Sequence, residues 1–189
     1  ISTFNEEVHE LTLSYDYSSR PLILGYFGVL TKGVRSSKNA LNYLEEFEYF
    51  NFKWFTNPDS IIEITKHMRN GQNHQFLNMV PRSEALKIMA MSAHCLLSIG
   101  NKNSSQLPSK VVEYISTGKP VIHFAEIDND PVIEISARYP NLLVISRNLD
   151  KQDFIRKLND LINNIDKFSS MEFLEEYSPK TLVNQLDFI

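Results

Sequence analysis

Strands alternating with helices along nearly the whole chain predict an α/β fold, a doubly wound parallel sheet with helices on both faces. Two observations lead there. Short apolar runs at residues 22–27, 93–100 and 120–124 are bounded by glycine or proline, as strands buried on both faces are. The stretches between them repeat apolar residues at helical spacing. This is clearest after Asp150, where Phe154, Ile155, Leu158, Leu161, Ile162, Ile165 and Phe168 form one stripe.

Residues 1–20 mix acidic, hydroxyl and apolar types without a sustained period and read as a linker or truncated N-terminal segment, with room for a short strand or helical turn. The first unit follows: a strand over 22–27 ended by Gly28, then a helix capped by Ser36 or Ser37 with Ala40, Leu41, Leu44 and Phe47 turned inward. Phe50, Phe52 and Trp54 alternate with Asn51, Lys53 and Phe55, the pattern of a strand with one strongly buried face. Asn57 and Pro58 start a helix through Ile61, Ile62, Ile64 and Met68, which Gly71 ends. A strand over 75–80, a helix over 81–92 and a strand over 93–100 come next. The helix over 108–117 is closed at both ends: Pro108 suits its first position, Gly118 the left-handed cap, and Pro120 forbids continuation. The strand 120–124, a helix near 131–138, a strand over 142–146 and the striped helix complete a domain over 21–170. A helical tail over 171–189 is broken at Tyr177-Ser178-Pro179.

Of the 189 residues, 42% are hydrophobic and 22% charged, enough apolar content for a sizeable core. The net charge of -4 argues against a nucleic-acid partner. Cys95 stands alone, which rules out an intramolecular disulfide and fits the cytoplasm. No run approaches the roughly 20 apolar residues of a membrane span. The chain opens on Ile1, so we expect a fragment whose missing N-terminal part could carry a membrane-binding surface.

Several chemistries lack their motifs. Gly25-x-x-Gly28 is not the dinucleotide fingerprint, and Thr117-Gly118-Lys119-Pro120 lacks the spacing of a P-loop. His9, His67, His74, His94 and His123 show no metal-ligand spacing, and no metal site is expected. A hydrolase's G-x-S-x-G elbow is also missing, and no histidine is assigned to catalysis.

The organising stretch is 107–122. At about 100° per residue, Val111, Val112 and Ile115 lie on one side of its helix and Lys110, Glu113, Tyr114 and Thr117 on the other. A helix start preceded by Gly100 and the polar run 101–106 offers unpaired backbone NH groups, to which Lys110 adds a full charge: a place for phosphate. Glu113, one turn on, would repel phosphate but accepts hydrogen bonds from hydroxyls. A diphosphate with a ribose attached satisfies both. The bland alternative is a solvated i,i+3 pair worth a few tenths of a kcal/mol.

Pro108-Ser109-Lys110-x-x-Glu113-Tyr114-x-x-x-Gly118-Lys119-Pro120-Val121-Ile122 resembles the donor-binding segment of the C-terminal domain of GT-B glycosyltransferases, particularly the retaining, family-4-like group that builds bacterial surface polysaccharides. The resemblance implies a single Rossmann-like domain, the C-terminal half of a GT-B enzyme. It implies that Glu113 holds the ribose, that Gly28, Arg35, Ser109 and Lys110 meet the diphosphate, and that Met79 and Val80 border the nucleobase. Two positions depart from the family pattern: Ser105 stands where a glutamate is expected, and Val29 where an arginine follows the first-turn glycine. Asn101, Ser105 and Gln106 are then the expected neighbours of the donor sugar, with Lys32 and Asn103 as further candidates. The implied substrate is a UDP- or GDP-linked sugar, without a cofactor, handled in the cytoplasm or at the inner face of the membrane. The acceptor would be held by an N-terminal domain, so the chain alone is expected to bind nucleotide weakly and transfer nothing. Two alternatives stay open: a nucleotide-sugar epimerase of the same fold, and a non-catalytic flavodoxin-like binding module.

Overall fold

A computed structural model describes residues 5–69, 71–102, 107–146 and 149–164. Six strands, β1 (Leu22–Phe27), β2 (Phe50–Phe55), β3 (His74–Leu77), β4 (Cys95–Ile99), β5 (Val121–Phe124) and β6 (Leu142–Ile145), form one sheet in the order β3-β2-β1-β4-β5-β6. Every pairing is parallel. Seven α-helices accompany it in the described residues: α1 (Glu6–Leu13), α2 (Lys38–Leu44), α3 (Pro58–Thr65), α4 (Arg82–Ser92), α5 (Ser109–Ile115), α6 (Val132–Ser136) and α7 (Lys151–Asn163). This is the doubly wound fold expected from the alternation of runs.

Strand residues alternate between two cores. Leu24, Phe52, Trp54, Leu97 and Ile122 pack with Leu41 of α2 and with Phe154 and Leu158 of α7. Phe27, Phe55, Leu96 and Val121 pack on the opposite face with α4, α5 and α6 through Met89, Val111, Tyr114, Ile115 and Val132. The caps fall where short polar side chains stand in the sequence. Asn57 accepts from Ser60 N at 3.0 Å, and Asp150 accepts from Gln152 N at 2.9 Å and Asp153 N at 3.2 Å.

Four readings are corrected. The stretch expected as a linker contains α1, capped by Asn5, whose side chain accepts from Val8 N at 3.2 Å. Val8 is buried, and Thr12 Oγ1 donates to Thr117 O at 2.7 Å, so long-range contacts supply what local periodicity lacks. The helix expected to run to Gly71 ends at Thr65, where a turn bond from His67 N to Ile64 O replaces the helical ladder. The strand expected over 75–80 is His74–Leu77: its only neighbour among the described residues, β2, ends at Phe55 opposite Leu77, and residues 78–80 have no described strand to pair with. Finally, Tyr114 and Thr117, expected with Lys110 and Glu113 on the face opposite the packed one, are both buried. The tail over 171–189 lies outside the described residues.

The topology also places a crevice. β1 and β2 pair over their full length, from Leu22↔Phe50 to Phe27↔Phe55, whereas β1 and β4 pair only at Leu24↔Cys95 and Gly25↔Leu96. Beyond those pairs the carboxyl ends of β1 and β4 part. This is where the strand order reverses, the point at which doubly wound sheets accept ligands.

Candidate functional site

A cavity of about 520 Å³ opens at those carboxyl ends. Its floor is apolar: Phe27 and Phe55 stack at 4.2 Å and 8°, with Ala85 and Met89 of α4 beside them. The loop after β3 brings Met79 and Val80 to one side, followed by Arg82 at the start of α4. Ser109, Lys110 and Glu113 of α5 line the other side, and Gly28 stands at the end of β1. Six residues singled out in the sequence, Gly28, Met79, Val80, Ser109, Lys110 and Glu113, therefore meet around one space. Lys110 Nζ and Glu113 Oε2 form an ion pair on its polar side, with the two side chains 35% and 20% exposed.

Tyr114 sets the position of α5 against β1. Its hydroxyl accepts from Phe27 N at 2.9 Å and donates to Phe27 O at 3.1 Å, a double closure that satisfies the backbone where β1 leaves β4. Burial drives the phenol far above its ordinary pKa, so it stays a neutral donor and acceptor. At the other end of α5, Gly118 takes φ +75°, the left-handed cap expected of it.

Arg35 is not in the main cavity. It lines a narrow adjoining recess with Tyr26, Ser98, Tyr114 and Lys110, and among the described cations only Lys110 reaches both spaces. Arg35 Nε donates to the buried Asn101 Oδ1 at 2.6 Å, so Asn101 holds the arginine from behind. Burial raises the Tyr26 hydroxyl to about 12, with Arg35 pulling the other way. Ser105 and Gln106, with Asn103, lie outside the described residues. Val29 and Lys32 line a separate hollow with Asn57, Asp59 and Ile62. A further hollow at Pro140, Leu143 and Leu161 sits against the edge strand β6, away from the point where the strand order reverses.

Sequence reasoning missed Ser98 and the apolar floor. Ser98 is one serine inside a buried run, and Phe27 and Phe55 read simply as core. Only the register of β1 against β2, which makes them partners, would have shown them stacked at the strand ends. The histidines serve structure in two places. Trp54 Nε1 donates to His74 Nδ1 at 2.9 Å, while His74 Nε2 lies 2.9 Å from Glu45 Oε1. His94 accepts at Nδ1 from Ile23 N at 2.9 Å, and burial, aided by the charge of Lys119, lowers its pKa to about 4. Among the described residues, no three His, Cys, Asp or Glu side chains are grouped as a metal site would need, and no helix is long and apolar enough to cross a membrane.

No protein-family profile matches the chain, and no curated protein matches it significantly. Solved structures do. HepE from Anabaena, in complex with UDP and glucose, superposes with a TM-score of 0.65 at 14% identity, over 98% of this chain and 54% of that one. The chain has the fold of a GT-B domain. WaaG, a glycosyltransferase involved in lipopolysaccharide biosynthesis, gives a TM-score of 0.53 at 15% identity over 90% of this chain and 45% of its own. UDP-GlcNAc 2-epimerase from Methanocaldococcus jannaschii gives 0.55 at 12% identity over 98% and 50%. The chain spans about half the length of each of these proteins.

Proposed function

We propose that the chain is the donor-binding domain of a glycosyltransferase that moves a sugar from a nucleotide-diphosphate sugar to an acceptor. The observation that carries this reading is the single cavity in which Lys110 and Glu113 face Met79 and Val80 across an apolar floor. A nucleobase lies against the floor and the Met79–Val80 loop. The ribose hydroxyls donate to Glu113, which only accepts, and the diphosphate turns toward Lys110, Ser109, Gly28 and, through the recess, Arg35. The Lys110–Glu113 ion pair does not oppose this. A partly exposed pair is worth about 1 kcal/mol or less, and each partner gains a charged or hydroxyl ligand in exchange.

During transfer, negative charge grows on the departing diphosphate, and Lys110 and Arg35 stand where that charge develops. Asn101, which orients Arg35, is on the same side and would border the donor sugar together with Ser105 and Gln106. Retention of configuration and a role in bacterial surface polysaccharide synthesis, at the cytoplasmic face of the membrane, follow from the resemblance of residues 108–122 and are part of the proposal. The acceptor belongs to a second, N-terminal domain, so the 189-residue chain alone transfers no sugar.

Thermal stabilisation by UDP, GDP, ADP, CDP and pyrophosphate tests the reading. Binding to the folded state adds about 1.4 kcal/mol at ten times the dissociation constant. Stabilisation by one nucleoside diphosphate, lost in Lys110→Ala and Glu113→Ala, is the expected result. Indifference to every nucleotide, or a response that survives both substitutions, would favour the non-catalytic binding module. The likeness to a UDP-GlcNAc 2-epimerase supports a second reading, in which the same donor site serves sugar interconversion. Conversion of one UDP-sugar to another by the complete protein, with no acceptor added, would select it.

A further inference from the structure

A hydrogen-bonded chain that the proposed transfer leaves unused ends on the wall of the recess. Ser98 of β4 and His123 of β5 are register partners. His123 Nδ1 lies 2.9 Å from Ser98 Oγ, and Nε2 lies 3.1 Å from Asp130 Oδ2. All three side chains are buried. Asp130 is fixed by Val132 N, which donates to Oδ1 at 2.9 Å, and it closes on Gly100, where a Cβ would stand 2.5 Å from Oδ2. At the outer end Ser98 shares the recess with Arg35 and Lys110.

The direction of the hydrogen bonds decides what Ser98 offers. An ionised Asp130 only accepts, which assigns the proton of a neutral His123 to Nε2 and leaves Nδ1 to accept from the Ser98 hydroxyl. Ser98 then turns lone pairs toward the recess and repels an anionic oxygen. A second proton on the ring reverses the chain. Nδ1 now donates to Ser98 Oγ, and the hydroxyl proton is released toward the recess. There it completes, with Arg35 and Lys110, a set of donors for a phosphoryl oxygen.

We propose that Ser98 is a phosphate ligand switched on by protonation of His123, so that binding of a nucleoside diphosphate takes up a proton from solvent onto the His123–Asp130 pair. The inference rests on the donor-site reading above. The charges around the ring set the balance. Asp130, 3.1 Å from Nε2, favours the proton, and Glu126 is buried in the same loop. Arg35 and Lys110, across Ser98, oppose it, and Glu113 offsets Lys110. Asp128 and Glu134 are exposed, and β6 carries no charge. A diphosphate that neutralises Arg35 and Lys110 tips the ring toward its charged form.

The test is an imidazole NMR titration of the 189-residue chain between about pH 5 and pH 8, with and without millimolar UDP. The His123 signals are assigned by their loss in His123→Gln or, should that variant fail to fold, by their response to Ser98→Ala. By linkage, UDP is expected to raise the His123 midpoint by about one pH unit, equivalent to tenfold tighter binding by the protonated form, while the other four histidines stay in place. Ser98→Ala is expected to abolish that rise and weaken UDP binding about tenfold. Ser98→Thr, which keeps a hydroxyl, is expected to retain both. UDP binding that needs Glu113 but leaves the His123 midpoint unmoved would overturn the relay and leave the donor site standing. UDP that fails to bind, or binds equally to Glu113→Ala, would overturn the donor reading and the relay with it.

Discussion

The two ends of the sheet each hold a lysine and treat it in opposite ways. At the carboxyl ends, Lys110 keeps 35% of its side chain exposed and is paired with Glu113 beside an open cavity. At the amino ends, Lys119 is fully buried, its nitrogen 3.7 Å above the Tyr15 ring, 5.0 Å from the Tyr17 ring centre and 3.2 Å from the Tyr17 hydroxyl. Burial lowers its pKa to about 7. Thus the first lysine is available to a ligand, and the second fastens residues 15–17 beneath the sheet. Adjacent in the sequence to the same helix, they differ because one begins α5 and the other leads into β5.

The largest expected effect comes from removing the buried charge. A lysine whose folded pKa is lowered weakens the fold wherever it must be charged. Stability therefore climbs as pH rises from about 7 toward the ordinary value of 10.5, by several kcal/mol in all. Denaturant titrations across that range should show the climb, and Lys119→Met should flatten it while raising stability at neutral pH. An unchanged slope in the variant would remove Lys119 from the account. His94 adds a second window: its contribution is complete above 6.5 and is lost as pH falls toward about 4.

A smaller effect tests how the amino end is closed. In Gly118→Ala, a Cβ would lie 2.5 Å from His9 Nδ1 on a backbone at φ +75°, and a loss of about 2 kcal/mol is expected. His9→Ala in the same chain should recover the steric part only. On the carboxyl side, Tyr114→Phe strips a buried N–H and C=O of Phe27 of their shared partner, at a cost of about 1–3 kcal/mol by chemical denaturation. Smallest of all are Lys110→Ala and Glu113→Ala, which should shift stability by no more than about 0.5 kcal/mol. If the proposed donor site is right, their effect falls on nucleotide binding instead, and that separation sharpens the contrast between the ends.

The comparison also explains what could be read from the sequence. β1 and β2 were legible with their observed bounds because buried strands and their flanking glycine or polar residues are local signals. The start of α7 after Asp150 and its stripe as far as Ile162 were legible for the same reason, while Ile165 and Phe168 lie outside the described residues. Lys110 and Glu113 stand three residues apart on one helix, so spacing alone put them together. The contacts that sequence did not reveal are made only by the fold. α1 is held by Thr12 donating to Thr117, 105 residues away. Arg35 meets Asn101 across 66 residues, and Ser98 meets His123 through strand register. Tyr114 was assigned to the face opposite Val111 and Ile115, with Lys110 and Glu113, because helical phase does not show that β1 lies over it.

The central claim is that the carboxyl-end cavity, and not the aromatic clasp at the amino end, receives a nucleoside diphosphate. Backbone amide NMR of the chain titrated with UDP tests it most directly. The account predicts that shifts concentrate at Gly28, Met79, Val80, Ser109, Lys110 and Glu113, with the amides of Tyr15, Tyr17, His94 and Lys119 unmoved. Shifts centred on the amino-end residues, or none at millimolar UDP, would contradict it.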